Sequence, residues 1–309
     1  MKQKIRFLGW IMLLLLVAGC QKEEWEIYEI AGVNEDTACF DYSGNIYEMN
    51  SGESYSRKEA EQSKKFLFYG TEYLLCYEET CHRDFMSFNE DVYRTKDEDI
   101  TFYFRAGTNE LSGIFAQNGT MRITGEITKE REEYLRLTED ILEEYISTDE
   151  YEVTCQTKVT VFKTQGEIGT REYRTEEGFY VPREECETAK YVITYRRYIG
   201  GYPSSDVAIV TLDEAGGLKQ LNIGETNAFR SLNVPRLSEK DITEKVSEKL
   251  NSICKEGYEI EKFVQSFSLC IDEEGKLYFM VSVFPTVKKT ETNVAAEGLC
   301  VFVLAPKGK

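Results

Sequence analysis

One histidine, His82, stands among 309 residues. That count removes zinc sites built on two or three histidines and the HExxH metalloprotease arrangement, which needs two imidazoles on one helix face. A Cys-His nucleophile pair would have to use Cys81, yet neighbours in sequence are poorly placed to share a proton, so this stretch reads as a surface loop. Cys76 and Cys81 have four residues between them. That is wrong for a CxxC redox or zinc-ribbon site and suits a bridge or cap on a small loop. Asp97-Glu98-Asp99 begins as a calcium loop does, but the central Gly and the twelfth-position Glu are missing. Neither a GxSxG elbow nor a GxxxxGK phosphate loop occurs. Among 55 acidic residues, spacing singles out no carboxylate pair for glycoside hydrolysis. Asn118-Gly119-Thr120 matches a glycosylation sequon and reads as a hairpin turn. No catalytic residue, metal ligand or cofactor site is expected.

Residues suited to binding are easier to find. Arg196, Tyr198 and Tyr202, with Tyr195, Arg197, Gly200, Gly201 and Pro203 around them, make a Tyr/Arg-rich stretch of the composition found at interface hot spots. They are the candidate partner-binding residues. Strand alternation places Arg196 and Tyr198 on one face and Arg197 on the other. The same composition also fits a strand with packed aromatics that leads into a Gly-Pro turn.

The amino terminus carries Lys2, Lys4 and Arg6, an apolar run from Phe7 to Val17, and then the small residues Ala18 and Gly19. This is the pattern of a secretory signal. The run is about 11 residues, and crossing a bilayer as a helix takes roughly 20. Val17-Ala18-Gly19-Cys20 resembles the lipobox of bacterial lipoproteins, in which the cysteine is diacylated and becomes the first residue. Two acyl chains hold a protein on a membrane where one is marginal. Cys20 is therefore the expected lipidation site, and the expected location is extracytoplasmic. Removing residues 1–19 with their three bases moves the formal charge from −18 to −21. A body so acidic is repelled by phosphate backbones, which excludes nucleic acid as a partner class.

Eight cysteines follow Cys20, at 39, 76, 81, 155, 186, 254, 270 and 300. Their pairing cannot be chosen from sequence, and Cys270 and Cys300 equally suit reduced core positions. An apolar content of 41% with 13% aromatics is enough for a sizeable core.

Residues 20–96 read as short aromatic-rich strands with one polar helix at 56–65, followed by a charged loop. Beyond it, the order hairpin, amphipathic helix, strand occurs twice. The first copy has strands at 101–105 and 111–117, a helix near 129–146 and a strand from Tyr151. The second has strands at 207–212 and 218–223, a helix near 239–254 and a strand from Tyr258. Leu111 and Leu218, Ile114 and Leu221, Leu135 and Ile242, and Tyr151-Glu152-Val153 and Tyr258-Glu259-Ile260 all stand 107 residues apart, as a duplicated unit requires. Ser238 to Asp241 forms a capping-box start, and Ile242, Val246, Leu250 and Ile253 follow at helical steps.

The run Tyr191-Val-Ile-Thr-Tyr-Arg-Arg-Tyr-Ile-Gly-Gly-Tyr-Pro203, then Asp206 to Asp213, Gly216-Gly217-Leu218 and a capped helix, resembles the PepSY-type units of secreted and lipid-anchored bacterial proteins. It is also similar to the extracytoplasmic lobes of cell-wall regulatory proteins of the YycH and YycI kind. With its lipobox, the chain resembles uncharacterised lipoproteins of Gram-positive gut bacteria. The resemblance covers residues 190–285 and, more weakly, 100–165. It implies helices packed on antiparallel sheets and a role in binding or modulating other proteins, and it brings no catalytic residue.

The expected fold is thus α+β: antiparallel sheets each packed by an amphipathic helix, in a duplicated unit. The expected segments are a signal at 1–19, a β-rich part at 20–96, and sheet-plus-helix units at 97–170 and 171–309. The expected role is that of a non-catalytic binding or regulatory module for a protein, peptide or envelope component. An extracytoplasmic hydrolase using acidic residues and a solute-binding lipoprotein are the alternatives.

Overall fold

The computed structural model describes residues 24–30, 39–42, 44–47, 54–82, 87–96, 100–117, 120–123, 131–163, 170–174, 186–224, 229, 235–272, 274–292, 295–297 and 299–307. Cys20 and the expected signal lie outside this set, as do Asp97-Glu98-Asp99 and Asn118-Gly119.

In chain order the strands are β1 (Trp25–Ile30), β2 (Ile46–Tyr47), β3 (Ser63–Phe68), β4 (Thr71–His82), β5 (Asn89–Thr95), β6 (Ile100–Arg105) and β7 (Leu111–Ala116), followed by helix α1 (Arg131–Leu142). Next come β8 (Glu152–Lys163), β9 (Thr170–Arg174), β10 (Cys186–Ile199), β11 (Tyr202–Asp213) and β12 (Leu218–Ile223), then α2 (Glu239–Ile253). The chain continues through β13 (Tyr258–Ile271), β14 (Leu277–Lys289), β15 (Ala295–Glu297) and β16 (Cys300–Pro306).

The expected α+β class is corrected by this architecture. The protein is β-rich, with strands in mixed antiparallel and parallel pairing and two short helices among the described residues. The reason lies in strand length. β8, β10, β11, β13 and β14 run for 12 to 14 residues, against a usual five or six. Backbone groups are satisfied from strand to strand over most of the described residues, and helices of 12 and 15 residues are accessories to them. The helix expected at 56–65 is also absent. That stretch turns near Arg57–Ala60, where Ala60 N donates to Arg57 O at 3.1 Å, and enters β3 at Ser63. Alternation decides it: Lys64, Phe66 and Phe68 share one strand face, and Phe68 is buried.

The chain divides into two compact units. Unit 1 takes Met1–Tyr47, Ser238–Val264 and Val281–Lys309, and unit 2 takes Glu48–Leu237 and Gln265–Met280.

In unit 2 the strands β3, β4, β5, β6, β7, β12 and β11 are hydrogen-bonded neighbours in that order, and β10 pairs with both β11 and β8. The hairpins β6–β7 and β11–β12 each carry a register shift just before the turn, between Tyr103 and Phe104 and between Thr211 and Leu212. The second turn closes through Asp213 N to Gly217 O at 2.8 Å, with Gly216 at φ 80°, a conformation open to glycine at no steric cost. Tyr134, Leu137, Ile141 and Leu142 of α1 join Phe102, Phe104, Ile114, Val210, Leu212 and Leu221 in one apolar cluster. The expected duplicated unit is not matched by connectivity: β8 pairs with β9 and β10, whereas β13 pairs with β11 through Ser204 and Leu269.

In unit 1, β1 pairs antiparallel with β16 and parallel with β2. The capping box of α2 forms: Ser238 Oγ accepts from Asp241 N at 3.1 Å, and Asp241 Oδ2 accepts from Ser238 N at 2.8 Å. Ile242, Val246, Leu250 and Ile253 are buried along one stripe. The neighbouring stripe presents Lys245 and Lys249 to β1.

Candidate functional site

The Tyr/Arg stretch turns mostly inward. Arg196 Nη1 donates to Ser204 O at 2.7 Å and to Ser268 Oγ at 3.1 Å. The Tyr202 hydroxyl donates to Leu237 O, and its ring meets Phe279 edge-on at 5.1 Å. Tyr198 keeps 40% of its surface exposed and is the outward member of the three. A register shift in the β10–β11 ladder between Arg196 and Tyr198 interrupts the simple alternation expected there.

Arg197, the other arginine, is buried beside Asp206, which is 0% exposed. Its Nη1 stands 3.4 Å from Asp206 Oδ2, and its other nitrogen pairs with Glu150. The Tyr151 hydroxyl lies 2.9 Å from both Asp206 oxygens. A buried charge kept in place by this many partners holds structure together, since removing one partner would strand the other.

Cys76 and Cys81 lie on the single strand β4, opposite Arg94 and Glu90. Five steps of extended chain separate them by roughly 16 Å, far beyond disulfide reach. Burial pushes the Cys300 thiol up to about 11 and raises Cys254 as well, so both are protonated and weakly nucleophilic at neutral pH. His82 Nδ1 lies 3.1 Å from Asn89 Oδ1. Among the described residues no group of three metal-ligating side chains comes together, and no helix is long and apolar enough to cross a membrane.

A groove of about 560 Å³ in unit 1 is the stronger candidate. Its charged lining is Glu24, Glu26, Glu248, Lys245, Lys249 and Lys307, joined by Trp25, Ile27, Gly44, Asn45 and Ser252. Lys245 and Lys249 are one helical turn apart on α2, so both point the same way. Lys245 Nζ donates to Trp25 O at 2.8 Å, and Lys307 Nζ lies 3.2 Å from Glu24 Oε1. Lys249 Nζ reaches past the lining to Glu29 Oε1 at 2.6 Å. Glu29 is 1% exposed, and its Oε2 has no hydrogen-bond partner among the described residues. Gly44 covers this pair by having no side chain: a Cβ there would collide with Lys249 Nζ and come within 2.8 Å of Glu29 Oε1. Ser252 Oγ donates to Lys249 O at 2.7 Å, which ties it to the helix backbone. The arrangement is equipped to bind by charge and hydrogen bonding.

None of these groove residues was named from sequence. They come from positions 24 to 307, with no local motif to join them. The available signal was the polar Lys245/Lys249 pair set one step round α2 from its buried stripe.

No family model matches this chain, and no curated protein matches it. Among solved structures, the chain is similar to an uncharacterized protein from Eubacterium rectale ATCC 33656, at 14% identity with a TM-score of 0.33, over 80% of this chain and 74% of that one.

Proposed function

We propose that this protein is a lipid-anchored, extracytoplasmic binding module, tethered to the cell membrane through Cys20 and acting without catalysis. The observation that carries the binding role is the groove of unit 1, which is lined by six charged side chains of both signs. Charged groups placed this way confer specificity by complementarity. The anchor rests on the signal pattern and Val17-Ala18-Gly19-Cys20. The acidic body favours a partner that is neither nucleic acid nor a broad anionic surface. Among the Tyr/Arg residues, Tyr198 remains available for contact with a protein or peptide partner.

Two measurements test the reading. Fatty-acid labelling and membrane fractionation of Cys20→Ala should show loss of label with release or failed processing, and unchanged membrane retention would overturn the anchor. Lysine acetylation rates measured with and without the envelope fraction should show Lys245 and Lys249 protected while the exposed Lys240 is not. Equal rates at all three would overturn the groove as the binding site.

A further inference from the structure

Beyond the groove and independent of it, we propose that the free edge of β3 in unit 2 takes an extended segment of another protein as an added antiparallel strand, with an acidic residue opposite Lys65 and an apolar one opposite Leu67. The first support is the backbone. β3 ends the strand order, and no strand among the described residues pairs with its other side. Tyr77 N donates to Gln62 O at 3.0 Å, and Lys64 stands opposite Leu75, Phe66 opposite Tyr73 and Phe68 opposite Thr71. Bonded and non-bonded pairs alternate along an antiparallel ladder, so Gln62, Lys64, Phe66 and Phe68 turn their N–H and C=O toward β4. Ser63, Lys65 and Leu67 turn theirs outward, as a template for one more strand.

The second support is what the edge displays. Lys65 and Leu67 lie on the strand face away from the buried Phe68; Leu67 is 64% exposed, and Leu74, opposite Lys65 on β4, is 53% exposed. Aliphatic side chains this open, next to unpaired backbone, mark a contact surface. The third is the Tyr69-Gly70 turn that closes the β3–β4 hairpin, with φ 44° and 76°. Asn or Gly is usual at the first of these positions, and a bulky residue there is strained. Tyr69 nevertheless stands there partly exposed, at the end of the edge, where an aromatic ring suits an interface.

The occupant follows from charge. β3 carries Lys64 and Lys65 and no acid, in a chain of net charge −18. Lys65 is held by Glu72 at 2.8 Å, with both side chains exposed, a weak pair that leaves the ammonium open to an acid on an incoming strand. A second copy of the chain fits poorly. The register that uses all three outward positions sets Lys65 opposite Lys65 of the copy, and like charges directly across a strand pair are destabilising. It also brings together two bodies of net charge −18. A different chain with an acid in that place turns the repulsion into attraction.

The test is titration of the full-length protein with the end-capped peptide Thr-Val-Val-Glu-Thr-Thr, whose Glu falls opposite Lys65 when its first residue stands opposite Phe68, and with the same peptide carrying Lys in place of Glu. The Glu peptide should saturate and bind about tenfold more tightly than the Lys peptide. Amide exchange should slow at Lys65 and Leu67, while Lys64 and Phe66, already bonded to β4, stay unchanged. Lys65→Glu should reverse the preference between the peptides, which also shows that this variant is folded. Leu67→Pro removes an outward N–H that β4 does not use, a change suited to an edge strand, and should abolish binding of both. A dimer of the protein that forms on concentration and is lost in Leu67→Pro would assign the edge to a second copy and overturn the proposal. So would no saturation by either peptide, equal affinity for both in the wild type, or wild-type binding by Leu67→Pro. None of these measurements involves Cys20 or the groove lysines, so failure of the edge and failure of the groove are read separately.

Discussion

Ile114 and Leu221 lie directly opposite each other where β7 and β12 pair, with Phe115 opposite Gln220 and Gly113 opposite Asn222. The two residues stand 107 apart, the offset that relates the two hairpins. The hairpins β6–β7 and β11–β12 thus meet through β7 and β12, with these two apolar side chains face to face. Each side chain is at most 1% exposed. Ile114→Ala and Leu221→Ala should each cost about 3 kcal/mol. The double variant should cost less than their sum by at least about 0.5 kcal/mol, because the two share a cavity. Urea denaturation of the four proteins in the cycle measures this, and strict additivity would show that the pair does not pack as one.

Lys64 carries a pH signature. It is 8% exposed, with Nζ 3.2 Å from the Phe104 ring centre, 4.3 Å from that of Tyr93 and 3.3 Å from Asn109 Oδ1. Burial pulls its pKa down from 10.5 to about 8, against the attraction of Asp91 and Glu61. The folded state therefore gives up this proton before the unfolded state does. Between about pH 8 and 10.5 the unfolded chain binds more protons, and stability from this group rises with pH, by at most about 1.4 kcal/mol per unit. Melting temperatures from pH 7.5 to 9.5 should climb in the wild type relative to Lys64→Met. Parallel curves would refute the assignment.

Asp91 gives the opposite sign. Burial pushes its carboxyl up, but Arg57, the Thr80 hydroxyl and the Gly107 N–H outweigh burial and hold it below the usual range. Arg57 binds it through two nitrogens, at 3.1 and 2.5 Å. The stability it contributes is present above the ordinary carboxylate pKa and is lost as pH falls through the lowered folded value. Arg57→Ala should cost about 3 kcal/mol by leaving that charge buried without its partner. Its acid-unfolding midpoint, followed by circular dichroism, should move to higher pH than that of the wild type.

Arg196 and Tyr198 should separate cleanly. Loss of Arg196 leaves Ser204 O and Ser268 Oγ without their donor, so Arg196→Ala should destabilise by about 1 to 3 kcal/mol. Tyr198→Ala, at a position 40% exposed, should stay within about 0.5 kcal/mol of the wild type. Equal losses in denaturant titrations would place both in the packed interior.

What the sequence determined by itself was local or periodic. The Ser238–Asp241 cap, the stripe Ile242-Val246-Leu250-Ile253 and the glycine turn after Asp213 each depend on residues within a few turns of the chain. The lone His82 likewise settled what the chain lacks without any fold. What only the tertiary structure decided was which distant residues become neighbours. Strand ladders of 12 to 14 residues overrode the weight given to two helical stripes, because alternation does not reveal how many strands will pair. The arginines at 196 and 197 fit a partner-binding strand and a packed strand equally in sequence, and their partners Ser204, Asp206 and Glu150 come from the tertiary structure. The groove joins Glu24 to Lys307, and its buried pair joins Glu29 to Lys249. Such an ion pair is specified by three-dimensional proximity and a missing side chain at Gly44, and neither leaves a spacing in the sequence to be read.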